Sequence, residues 1–268
     1  MKIRKRLIAW IMVAIMVFGL LPMNVWAVAG KNVYPLNAGK TYTEYDFTGD
    51  GKKDTFKWVS KRNSEIETAY IYLNGKYKNK IDLNRGGRRE DGGDGLYLVK
   101  VDKSRVFLMT TIGGVGRVDC AAYKYKSGKF VRIYKSFSKD GFGYVWPHKV
   151  VGNTIYMTVM PYAKWHDLIA NEEFVYYAKY SVKGSSIKLA SKKISISKTF
   201  RANATFVTSS TEKLKDAKGV KIYTGDIVKA KKLYNNAIQL SINGKTGWIN
   251  INGNDVYGTK IKGALSLV

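Results

Sequence analysis

The chain of 268 residues carries 46 lysines and arginines against 20 aspartates and glutamates, a formal charge of +26 that draws a protein toward polyanions. A single cysteine, Cys120, excludes a disulfide framework. No His-Glu-x-x-His helix, Gly-x-Ser-x-Gly elbow or phosphate loop occurs, which removes the commonest metallopeptidase, hydrolase and nucleotide-binding chemistries.

Residues 1–27 read as a signal peptide. MKIRKRL is basic, LIAWIMVAIMVFGLL is an apolar run of about fifteen residues, and Val25 and Ala27 in PMNVWA stand at the small-residue positions of a cleavage site. The run is short for a bilayer span, although an uncleaved anchor is the alternative. Cleavage after Ala27 starts the mature chain at Val28 and removes Lys2, Arg4, Lys5 and Arg6, lowering the charge by four to +22. The expected location is secreted or cell-wall associated, with no membrane contact after cleavage. The expected partners are then anionic wall polymers or peptidoglycan rather than nucleic acid, for which no binding motif is seen.

In the mature chain DFTGDGKKD places oxygen donors at relative positions one, three, five and nine. These are Asp46, Thr48, Asp50 and Asp54, with the Lys52 carbonyl between and Gly51 for the bend. Lys57 takes the twelfth position, where an EF-hand needs glutamate, and TFKWV there reads as a strand. The stretch resembles the strand-connecting calcium loops of FG-GAP and related repeats, with Thr48 where aspartate or asparagine is common. The resemblance implies a weak structural calcium site, and an ordinary Asx-rich turn is the plainer reading. EDGGDG, Glu90 to Gly95, is read as a flexible turn.

From there the pattern alternates with period two: TFKWV, AYIYL, LYLVKV, RVFLMTTI, CAAYKY, FVRIYKSF, TIYMTVM, FVYYAKYSV and SIKLA read as strands. The class is all-β, with residues 28–197 as one antiparallel domain, a sandwich or open barrel. A propeller-like arrangement is the second choice, because hairpins at Gly75, Gly128 and Gly184 recur about every fifty residues.

DCAAY, Asp119 to Tyr123, superficially resembles the nucleophile motif of NlpC/P60 cysteine peptidases, with His148 as a conceivable base. That chemistry needs a helix N-terminus to lower the thiol pKa, and CAAYKY reads as a strand, so the protein is expected not to be an enzyme. The carboxylates Asp167, Glu172 and Glu173 are linked only by proximity. Trp146, Tyr162 and Trp165 suggest a glycan-binding module as a further alternative.

A boundary is expected near residue 198, where SKKISISKTF is rich in serine and lysine. Residues 198–258 form a smaller unit with ten basic and four acidic side chains, followed by a tail over 259–268. Asn243-Gly244 is a strong hairpin signal, and Gly247 beside Trp248 allows close backbone approach under an indole. Gly225-Asp226-Val228 and Asn243-Gly244-Lys245-Thr246-Gly247-Trp248-Ile249 resemble the second half of a bacterial SH3-like (SH3b) domain. The resemblance implies a small barrel that tethers a secreted protein to peptidoglycan. Tyr223, Tyr234 and Trp248 are the candidate ligand-binding residues.

Overall fold

The computed structural model describes residues 32–62, 66–85, 95–114, 117–134, 144–160, 168, 175–234, 237–251 and 263–268. The signal-like segment, Val28, Tyr162, Trp165, His166, Asp167, Glu172, Glu173 and Glu90 to Asp94 lie outside them. The described part is all-β, without a helix.

Nine strands form the first sheet: β1 (Val33–Leu36), β2 (Thr41–Tyr42), β3 (Phe56–Arg62), β4 (Ile66–Leu73), β5 (Lys76–Arg85), β6 (Gly95–Lys100), β7 (Val106–Gly114), β8 (Arg117–Lys126) and β9 (Lys129–Tyr134). Their order is β1-β6-β7-β5-β4-β3-β2, with β8 and β9 branching from β7. The branch arises because β7 pairs antiparallel with β6 and β8 and touches β5 only through a parallel bridge, Asn84 to Gly113. The branch also closes on itself. The Asn79 side chain on β5 donates to the Phe130 carbonyl at 3.3 Å and accepts the Phe130 N–H at 3.2 Å, so one amide stands in for a strand partner beside β9.

Alternation on β6, β7 and β8 is apolar on both faces, the pattern of strands covered on both sides. Leu96, Leu98, Val106, Leu108, Ala121 and Tyr123 face a core shared with Phe47, Phe56, Trp58, Ile71 and Leu83 of the β2–β5 side. Val99, Phe107, Met109, Cys120 and Ala122 face the opposite way, into the core of the next sheet. That sheet is β10 (Tyr144–Val151), β11 (Thr154–Met160), β12 (Tyr176–Lys183) and β13 (Ser186–Leu189), an antiparallel meander. Its inward residues include Val145, Ile155, Met157, Ala178, Tyr180 and Ile187. The N-terminal part is therefore layered, with β6–β8 in the middle. The hairpins at Gly75 and Gly128 share one sheet and that at Gly184 lies in another, so the three are not equivalent propeller blades.

The third sheet, in the order β19-β18-β17-β14-β20, comprises β14 (Lys193–Ala202), β17 (Ile227–Tyr234), β18 (Ala237–Ile242), β19 (Lys245–Asn250) and β20 (Leu265–Leu267). The short pair β15 (Phe206–Val207) and β16 (Lys221–Ile222) completes the unit. β14 runs through residue 198, so this sheet starts at Lys193, before the expected boundary, and takes in Leu265–Leu267 of the expected tail. The serine- and lysine-rich stretch is a strand because Ile194, Ile196, Phe200 and Ala202 all point into the core.

The first two sheets are also clasped at their ends. In the β6–β7 turn, Asp102 accepts from Arg105 Nε at 2.6 Å, while Arg105 Nη1 donates to the Val182 carbonyl at 3.2 Å and Nη2 to Asn153 Oδ1 at 2.7 Å. The Arg105 side-chain bond is the main cause holding the Asp102 carboxyl well below the usual carboxylate range. Arg105→Ala should lower stability by about 1–2 kcal/mol in urea titrations at pH 7, since hydrogen bonds to charged groups contribute modestly at a partly exposed site. The folded pKa of Asp102 is depressed, so the part carried by its carboxylate is complete above the ordinary aspartate value of about 3.9 and is lost as the pH falls through the lower folded value; the gap between variant and wild type should narrow there to the part left by the Val182 and Asn153 bonds.

Candidate functional site

The C-terminal sheet is assembled around Thr208. Its N–H donates to the Val220 carbonyl at 3.0 Å, its Oγ1 accepts the Val220 N–H at 2.6 Å, and its carbonyl accepts the Gly219 N–H at 2.9 Å. Next to it Ser209 and Trp248 exchange backbone bonds of 2.8 and 2.7 Å, joining the β15–β16 segment to β19. The contact needs glycine on two sides. A Cβ on Gly247 would stand 1.8 Å from Thr208 Oγ1, and one on Gly219 would stand 2.3 Å from the same atom. The close approach expected at Gly247 is thus made by Thr208. Asp216 ties down the loop beyond, accepting from Ser210 N at 2.8 Å, Ser210 Oγ at 2.7 Å, Ser209 Oγ at 3.1 Å and Lys218 N at 3.0 Å. These bonds, that from the Ser210 N–H foremost, hold its carboxyl well below the usual range.

Of the three candidate binding aromatics, Trp248 is 4% exposed and belongs to the interior, where its ring offers little surface to a ligand. Tyr223 is 55% exposed, with Lys221 Nζ 5.1 Å from its ring centre. Tyr234 is half-buried at the far end of β17, roughly 23 Å along the strand from Ile227 at about 3.3 Å per residue. Tyr223 and Tyr234 therefore do not converge. Tyr234 instead joins a cluster that crosses strands: its register partner Lys193 sets Nζ 5.6 Å from the Tyr234 ring and 6.0 Å from Trp248, and pairs with Glu212 at 3.1 Å. Around it β17 alternates so that Val228, Ala230 and Leu233 are buried and Lys229, Lys231 and Lys232 are exposed. The extra exposed lysine comes from the register shift between Ala230 and Lys232.

At 46–54 the carboxylates turn toward the loop's own amides. Asp46 Oδ1 accepts from Thr48 Oγ1 at 3.2 Å, Gly49 N at 2.6 Å and Asp50 N at 3.3 Å, and its Oδ2 accepts from Gly51 N at 2.7 Å. Asp54, 5% exposed, accepts from Phe47 N at 2.9 Å, Thr48 N at 3.0 Å and Asn74 Nδ2 at 2.8 Å. Asp50 receives the Lys52 N–H at 2.8 Å. The loop is anchored from below by Phe47, buried and stacked on Phe56 with ring centres 4.1 Å apart. Among the described residues no three histidine, cysteine, aspartate or glutamate side chains converge as a metal site.

Cys120 is fully buried on β8, opposite Thr111 of β7, and faces the core between the first two sheets. His148 lies on β10, stacked on Tyr177 at 4.6 Å, and Tyr177 is on the outward face of β12. The β10–β13 sheet thus stands between the two residues of the peptidase alternative. Burial first, and the neighbouring Lys149 charge second, lower the His148 pKa, so the imidazole is neutral at pH 7. The same outward face carries a motif that strand periodicity alone does not disclose. Lys149 of β10 and Lys179 of β12 are both register partners of Tyr156, and their Nζ atoms lie 5.2 and 5.5 Å from its ring centre. A cavity of about 420 Å³ opens elsewhere, lined by Pro35, Asn37, Trp58, Ser60, Glu67 and Tyr97 among others, with Ser60 Oγ bonded to Glu67 Oε1.

Gly247→Ala should cost about 2–3 kcal/mol, because overpacking forces Thr208 and its backbone to move. Thr208→Ala should offset part of that loss in the double variant, giving a clear coupling energy in a thermal or urea double-mutant cycle. No family model, no curated protein and no solved structure matches this chain.

Proposed function

We propose that the protein is a secreted, non-catalytic surface protein that binds anionic cell-wall polymer or peptidoglycan through its C-terminal SH3b-like sheet. The observation that carries the reading is the outward row Lys229, Lys231 and Lys232 on β17, backed by an apolar interior and flanked by the Lys193–Tyr234 cluster. An ammonium held at a rigid strand position presents a fixed charge to a polymer, which a disordered basic tail does not. Purified mature protein should co-sediment with isolated cell wall at physiological salt, and Lys229→Gln/Lys231→Gln/Lys232→Gln should weaken that binding at least tenfold without lowering the Tm. Unchanged binding by the triple variant removes the C-terminal site from the reading. Solubilisation of the wall by the wild type would favour the hydrolase alternative instead.

Calcium at 46–54 is a second, structural reading. Asp50 accepts one bond from the loop, and Thr48 Oγ1 donates its proton, so both retain lone pairs for a cation. The loop's own hydrogen bonds already hold it, so the effect should be small. Calcium near a millimolar dissociation constant should raise the Tm by about 1–2 °C through mass action, and Asp50→Ala should remove the rise. A wild-type Tm indifferent to calcium and to chelator makes the loop a turn only.

A further inference from the structure

The outer face of the β10–β13 sheet is a second charged surface. β12 alternates completely: Tyr176, Ala178, Tyr180 and Val182 are buried, and Tyr177, Lys179, Ser181 and Lys183 are exposed. The register aligns these with neighbours in rows across the sheet. Lys149, Tyr156 and Lys179 form one row, and Trp146, Thr158 and Tyr177 the next. On the other side Thr154, Ser181 and Lys188 follow, with Lys183 at the end of β12. No aspartate or glutamate occurs in any of the four strands.

Two features make this more than scattered surface lysine. Lys149 and Lys179 stand two strands apart, about 10 Å at ordinary strand spacing, yet both ammonium groups are drawn over the ring of Tyr156 between them. Like charges are thereby concentrated where no acidic side chain of the sheet offsets them. Secondly, the Tyr156 and Tyr177 rings already have partners. Tyr156 lies beneath two lysines, and Tyr177, although 43% exposed, is stacked with His148, so at the centre of the surface cations cover the ring on which a nucleobase would stack. A ligand meets cations aligned by register on the outward face of the sheet.

We infer that the Lys149–Tyr156–Lys179 row, with Lys183 and Lys188, is a docking surface for an extended wall polymer whose negative charge is carried on its backbone. This rests on the wall-binding reading above and adds a second contact, on a different sheet, for the same class of polymer. Two surfaces on one chain raise the apparent affinity through effective concentration, so a long polymer should bind far more tightly than a short piece.

The test uses the full mature protein and poly(glycerol phosphate) as the probe, with titrations across a range of salt. Lys149→Gln/Lys179→Gln should weaken binding at least fivefold and lower the salt slope by about one unit for each lysine–phosphate pair removed, by analogy with phosphate neutralisation in nucleic acids. Lys149→Arg/Lys179→Arg should retain most of the binding. Lys126→Gln/Lys129→Gln, which removes equal charge from the exposed β8–β9 turn, should bind as the wild type does. Circular dichroism and Tm confirm that each variant is folded. If the turn variant loses as much as the sheet variant, net charge alone is responsible and the docking surface is overturned. If single-stranded oligothymidylate binds as tightly as poly(glycerol phosphate) and the sheet variant abolishes both, the face is a nucleic-acid platform and the inference fails. Loss in the β17 triple variant with none in the Lys149/Lys179 variant overturns this inference while leaving the C-terminal reading intact; the reverse pattern does the opposite.

Discussion

Burial of β6, β7 and β8 on both faces is the constraint from which the architecture follows. A strand with one apolar face needs one covering layer; these three need two, and the chain supplies them from the β2–β5 side and from the β10–β13 meander. Phe107 and Met109 point one way while Val106 and Leu108 point the other, so a one-residue slip of β7 would exchange its contributions to two cores at once. Cys120 belongs to the same logic. It fills a small-residue position beside Ala122, and the thiol that could suggest chemistry is placed where burial denies it access.

With the interior filled by apolar side chains, the surplus of positive charge falls on turns, loops and the outer faces of the sheets. Strand alternation then orders the lysines instead of scattering them, on β12 as Lys179 and Lys183 and on β17 as Lys229, Lys231 and Lys232. Tyrosines hold ammonium groups by cation–π contact, Tyr156 those of Lys149 and Lys179, Tyr223 that of Lys221 and Tyr234 that of Lys193. A formal charge of +26 repels itself, and on the proposed reading a polyanion laid along these faces would relieve the repulsion.

Much of this is legible in the sequence. Alternation in TFKWV, AYIYL and TIYMTVM marks β3, β4 and β11, and Asn243-Gly244 marks the β18–β19 hairpin, whose two turn residues both have positive φ. Gly247 reads as a close-approach position, but its partner Thr208 lies 39 residues earlier in a stretch whose pattern is weak. SKKISISKTF reads as the site of a domain boundary because serine and lysine dominate its composition, although its buried Ile194 and Ile196 keep the period of two. Strand order is a matter of long-range pairing, so nothing local announces that β7 branches to three neighbours or that Asn79 closes β5 on β9. For the same reason nothing in the sequence associates Lys193 with Tyr234, or Lys149 with Lys179: each pair is made by register between strands, which composition does not reveal.

The most direct measurement of the central claim, that a doubly covered core carries ligand on the outward faces of its flanking sheets, is hydrogen exchange of the mature protein with and without purified wall polymer. The account requires β6–β8 to exchange slowest in both states, with added protection confined to β10–β12 and β17 when polymer is bound. Protection spread evenly over the chain, or concentrated at the β8–β9 turn and the 46–54 loop, would contradict it.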